Sequence, residues 1–388
     1  MVRKRHMQWK GRDAIEICNG RMQVVVLPGG GHLAEMRILK GDEPSVNLLW
    51  EAPWETADPG TRAARQLSEL YGGMPAGPFL AGFTGHALCL DLFGPPSKEE
   101  AARGIPLHGE ASTRKWELSE AADGYIAQAE MTQSKLRIAR SVKFKGDESA
   151  LFVEEKVENH SDAEREVHWV QHLTLGAPLL SAGNCTVDAS VDRCRVSPMG
   201  YEGREALLTD AEFAWPWAPS VNGEWLDLRV PFQEKGRGIL AAAHVSQRLP
   251  FAYIAALNWD LGLVLIYCFR KEDFPWVALW EENCAREDPP WNGTAKVRGM
   301  EFGTTPLPLG RDAIEAMGSL FDTPVTCVLP SGSTRTARYV ACAASVPKGW
   351  RTIESVEVSA NELTLEGKGT RIAIAAEGIG EFLSQERK

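Results

Sequence analysis

The chain has 388 residues, 44% hydrophobic and 24% charged, which is the composition of an ordinary globular protein. Its formal net charge of −10 argues against nucleic acid and anionic membrane surfaces as partners. No apolar run follows the opening Arg3-Lys4-Arg5, and none elsewhere is long enough to cross a bilayer, so the cytoplasm is the expected compartment.

Strand patterns run from end to end. Alternation of apolar and polar side chains predicts strands over residues 14–18, 22–27, 136–144, 151–159, 167–175, 238–243, 262–269, 326–329, 338–343, 356–358 and 371–375. In the clearest of them Leu136, Ile138 and Arg140 alternate with Arg137, Ala139 and Ser141. Turn-forming clusters separate the strands, including Pro28-Gly29-Gly30-Gly31 and Lys145-Gly146-Asp147. The glycine run follows a strand but lacks both phosphate-loop frames, so it is read as a tight turn. Helical patterns are few, at about 63–71, 98–103 and 311–318. Many strands with few helices predict an all-β fold, a large antiparallel β-sandwich. No repeat or linker divides the chain, so residues 1–388 are expected to form a single domain. Two excursions interrupt the strands, at 51–106 and 281–298, and loops of that length in a compact fold usually serve a site.

The eight cysteines are scattered without a CxxC pair and read as reduced, mostly buried thiols rather than zinc ligands. His168 and His172 are four apart, a zinc spacing on a helix. On the predicted strand the two lie roughly 13 Å apart, at about 3.3 Å per residue, too far to share an ion.

Three polar islands remain: Leu107-His108-Gly109-Glu110, Gln171-His172-Leu173-Thr174 and Met300-Glu301-Phe302-Gly303-Thr304-Thr305-Pro306. Two imidazoles and a carboxylate suffice to move protons to and from a sugar without metal or cofactor. In this order the islands resemble the aldose 1-epimerase (galactose mutarotase-like) superfamily, in a divergent branch. The resemblance implies a galactose mutarotase-like supersandwich and an isomerase that interconverts sugar anomers by acid–base ring opening. It makes Glu301 the base, His172 the acid and His108 a substrate-orienting partner, with no cofactor and no metal. The expected ligand is a small sugar or sugar derivative.

The chain departs from that pattern in two places. The arginine expected before the Leu-His-Gly island is absent from Gly82-Phe83-Thr84-Gly85-His86-Ala87-Leu88, which leaves His86 as the candidate there. The mid-chain acidic sugar ligand has only Asp227 and Asp260 as candidates. Glu110, His168 and Arg298 are further candidate substrate contacts, the last for an anionic substituent alongside Lys296. Among the thirteen tryptophans, Trp276, Trp280 and Trp291 flank the second excursion and are expected to wall a groove, since indole faces pack on sugar rings. The missing arginine also admits a carbohydrate-binding protein without turnover. A polysaccharide lyase-related domain ranks below both, with only six tyrosines in the chain.

Overall fold

The computed structural model describes residues 2–41, 43–181 and 183–384. Among them, thirteen strands form a large antiparallel sheet and eight a smaller one, packed face to face. The large sheet begins with an N-terminal meander, Arg3–Trp9, Arg12–Cys18, Met22–Leu27 and His32–Lys40. Five strands at its centre carry the site: β1 (His86–Asp91), β2 (Arg165–Leu175), β3 (Arg237–Val245), β4 (Trp276–Asn283) and β5 (Lys296–Gly303). Their spatial order is β1-β2-β5-β4-β3, every pair antiparallel.

Alternation assigns each residue of these strands to one face. Trp169, Leu173, Leu279, Met300 and Phe302 point into the space between the sheets. There they meet Ile138, Val153, Leu265 and Tyr339 of the smaller sheet in one apolar core. The opposite face of the large sheet is covered by the first excursion, which includes the helices Arg62–Leu70, Gly77–Leu80 and Lys98–Ala102. The helix Lys98–Ala102 starts at a capping box, with Ser97 and Glu100 each satisfying the other's backbone N–H. A second apolar cluster forms on this covered face, joining Phe79, Phe83, Trp50, Trp280 and Trp291.

The ends of the predicted strands fall within four residues of the observed ones. The strand β1 lies unpredicted inside the first excursion. All six of its residues are buried, so its sequence shows no alternation to read. The turn at Gly29–Gly31 joins Met22–Leu27 to His32–Lys40, as expected. Gly31 there has φ +65°, and a Cβ would stand 2.6 Å from the Trp116 ring.

A buried ion pair crosses the core. Arg140, on the inward row of its strand, donates to Glu155 (2.6 Å) and to the Gly31 carbonyl oxygen (2.6 Å). Glu155 also accepts from the Trp169 indole (2.8 Å) and the Gln171 amide (2.6 Å) of β2. A C-terminal three-stranded sheet, Ser355–Val358, Glu362–Gly367 and Thr370–Ala375, packs with the helix Ile379–Ser384 on the outer face of the smaller sheet. None of the eight cysteines is in a disulfide, and seven of them are buried. No helix among the described residues is long and apolar enough to cross a membrane.

Candidate active site

The three polar islands converge in one cavity of about 520 Å³ on the covered face of the large sheet. Glu301 projects from β5 and His172 from the neighbouring β2, with His172 Nε2 3.4 Å from Glu301 Oε1. The His108 ring centroid lies 5.4 Å from that of His172. Phe79, Phe83 and Trp280 pack around His172 with ring centroids at 6.0, 5.0 and 5.8 Å.

Local sequence explains the Leu-His-Gly island. Gly109 has φ +80°, and a Cβ there would meet the Leu90 carbonyl oxygen at 2.4 Å, so glycine alone lets the loop lie against β1. His108 itself sits at φ +64°, an uncommon conformation for a side-chain-bearing residue. Two hydrogen bonds hold it there. Its N–H donates to the Gly94 carbonyl oxygen (3.0 Å), and the Gly94 N–H donates to His108 Nδ1 (3.2 Å). An accepting Nδ1 on a neutral ring leaves the proton on Nε2.

The tautomer of His172 follows the same way. The Thr174 hydroxyl lies 2.9 Å from Nδ1 and donates to the His172 carbonyl oxygen (3.2 Å). With the hydroxyl proton spent on the carbonyl, Nδ1–H is the donor to Thr174, and Nε2 offers a bare lone pair to Glu301. Burial acts on both partners. It lowers the His172 pKa to about 3 and raises that of Glu301 well above the carboxylate range, because desolvation disfavours either charged form. Burial also holds His108 far below its ordinary value, the neighbouring His172 adding to the effect. Desolvation thus favours the uncharged form of each partner, with the shared proton on the carboxyl rather than on the imidazole.

One wall of the cavity is built around Arg286. Its guanidinium stands 4.9 Å from the Tyr201 ring, 5.2 Å from Trp291 and 6.0 Å from Trp280, within cation–π range. Glu202 (3.5 Å) and Glu282 (4.0 Å) flank it. The Trp280 indole donates to the Tyr201 hydroxyl (2.8 Å), which donates to Glu282 (2.8 Å).

Of the residues expected from sequence, His108, His172, Glu301, Trp280 and Trp291 line this cavity. The others lie elsewhere. His86 points to the opposite face of the large sheet, between Tyr267 (3.3 Å) and Gln171 (3.1 Å) in the core. Glu110 is buried in its own loop, paired with Arg114 and accepting from the N–H groups of Gln133 (3.0 Å) and Ser134 (2.9 Å). His168 shares a face with His172 but is sealed under residues 91–94, where the Phe93 N–H donates to its Nδ1 (3.0 Å). Arg298 points inward, paired with Glu281 (3.0 Å) and donating to the Leu228 carbonyl oxygen (2.8 Å). Trp276 is buried beside Leu307 and Ile314. Asp227 is held by Arg229 (2.7 Å), and Asp260 accepts from Asn184 (3.2 Å).

Phe79, Phe83, Tyr201, Leu240 and Arg286 line the cavity without having been singled out in the sequence. The two excursions do hold Phe79, Phe83 and Arg286, so the length of those loops was the available signal.

Gly299 sits one pleat before Glu301. A Cβ there would stand 2.2 Å from Glu301 Oε1 and 3.1 Å from Trp280 Cε3. Gly299→Ala is expected to push the carboxyl off His172 and leave the sheet intact. Displacements of about 1 Å can cost 10²-fold in rate. Urea unfolding beside a rate assay checks this, and a lower midpoint with an unchanged rate would contradict it.

The same two-sheet β architecture occurs in several solved structures. An aligned structure from Klebsiella pneumoniae, provisionally named an aldose 1-epimerase, has a TM-score of 0.61 at 14% identity, over 89% of this chain and 83% of that one. A galactose mutarotase-like protein from Clostridium acetobutylicum gives 0.57 at 14%, over 89% and 99%. An Escherichia coli K12 protein, also provisionally named an aldose 1-epimerase, gives 0.55 at 11%, over 89% and 100%. At such identities the likeness is one of fold. By sequence, residues 9–207 match the family described as a domain of unknown function, DUF4432, and the chain belongs to that family. No curated protein matches the sequence.

Proposed function

We propose that this protein is an aldose 1-epimerase-like isomerase that interconverts sugar anomers by acid–base ring opening. The observation that carries this reading is the contact between Glu301 and His172 inside a cavity of sugar-accommodating size, with His108 beside it. Anomer exchange moves one proton off the C1 hydroxyl and another onto the ring oxygen. Both oxygens are bonded to the same carbon, so an acid and a base that are themselves neighbours can serve them together.

The resting proton suggests the order of events. Nε2 of His172 takes the C1 hydroxyl proton while the Glu301 carboxyl protonates the ring oxygen, and the C1–O5 bond breaks to give the aldehyde. Rotation about C1–C2 and the reverse transfers close the other anomer. His108 donates from Nε2 to a sugar oxygen and holds the ring in place. These roles reverse the base carboxylate and acid imidazole expected from the sequence. Burial is the reason, since it favours the uncharged form of each group.

The test is anomeric exchange by NMR across neutral aldoses, uronates and sugar phosphates. Acceleration by the protein supports the isomerase, and binding without acceleration supports the carbohydrate-binding alternative. The value of kcat/KM should stay level from neutral pH down toward about 3, where His172 would gain a proton. It should fall on the alkaline side, as Glu301 ionises and loses the proton that the ring oxygen needs. An infrared carboxylic-acid band present at neutral pH and missing from Glu301→Gln would establish where the proton rests. A carboxylate band there would return the base role to Glu301.

A further inference from the structure

The hydrogen-bonding capacity of the cavity is concentrated at one end. Glu301, His172 Nε2 and His108 Nε2 cluster there, where the isomerase reading places C1 of the sugar. Two of the other polar groups on the wall are already engaged. The Trp280 indole N–H is given to Tyr201, and the Tyr201 hydroxyl to Glu282. The Arg286 charge is countered by Glu202 and Glu282, so little net positive charge is left to draw a carboxylate or phosphate. The remaining wall is apolar, with Phe79, Leu80, Leu107, Leu240 and Leu309 among its residues. Leu240 is notable because β3 turns it toward the site from directly opposite Trp280 on β4.

A sugar hydroxyl pressed against such a wall loses its water and finds no partner. On the scale of protein substitutions, that penalty corresponds to about ten-fold or more for each hydroxyl. A methyl or methylene in the same place gains from burial instead.

Building on the isomerase reading, we infer that the cavity selects uncharged deoxy sugars, aldoses in which a hydroxyl away from C1 is replaced by hydrogen. The test compares exchange rates for sugar pairs that differ by one oxygen: galactose and 6-deoxygalactose, glucose and its 2-, 3- and 6-deoxy forms, with galacturonate and galactose 6-phosphate alongside. The expected result is one or more deoxy sugars with kcat/KM about ten-fold or more above the parent, and both anions below it. In Leu240→Asn, which puts a hydrogen-bonding group on the apolar wall, the ratio should move toward the parent sugar. Deoxy sugars turned over no faster than their parents, or an anion preferred, would overturn this inference and leave the isomerase standing. Exchange accelerated for none of these sugars would overturn the isomerase reading and this inference with it.

Discussion

Glu301→Gln is expected to lower the accelerated exchange rate by about 10²–10⁴-fold, the usual contribution of a well-placed acid–base group. The substitution keeps the shape of the side chain and removes its acidic proton. The glutamine amide can still hydrogen-bond to His172 Nε2, now held 3.4 Å from the carboxyl, so the aromatic packing has no cause to change. Sugar binding should therefore persist, with the loss falling on kcat rather than KM. NMR line-shape titration with the substrate, run beside the exchange assay, separates the two quantities. A variant that exchanges anomers at the wild-type rate would remove Glu301 from the mechanism.

The second large effect concerns stability. Glu155→Leu would leave Arg140 charged, fully buried and without its counter-ion, and would strip the Trp169 indole and Gln171 amide of their acceptor. Breaking one side of a buried pair typically costs about 3–5 kcal/mol. Replacing both sides costs far less, because no stranded charge remains. Urea unfolding of wild type, Glu155→Leu and the double variant Arg140→Met/Glu155→Leu is expected to give a large fall in the midpoint followed by substantial recovery. A double variant as unstable as the single would locate the cost in packing or in the lost Gly31 contact instead.

Much of this architecture was legible in the sequence because strands with one core-facing side must alternate. The strand at 136–144 and the helices at 62–70 and 98–102 were read almost residue for residue. The order of the three polar islands points to His108, His172 and Glu301, and these three line one cavity. Arg298 shows how the same rule could have been used further. Met300 and Phe302 are apolar and core-facing, and two-residue periodicity puts Arg298 on their side, away from Glu301. His86 was harder, since β1 is buried on both faces and offers no alternation. Arg286 was harder still. Its ring partner Tyr201 is distant in sequence, and no local pattern announces such a meeting.

The commitment of both faces of the large sheet constrains how this protein can diverge. Shifting the pairing of β5 by one residue would turn Glu301 into the core and Met300 into the cavity, an exchange no neighbouring side chain could accommodate. Heritable change in the central strands is thereby confined to replacement at fixed length, whereas no strand pairing fixes the length of the segments 51–84 and 284–295. New specificities can thus be acquired by editing loops around a Glu301–His172 pair whose spacing the pleat keeps constant.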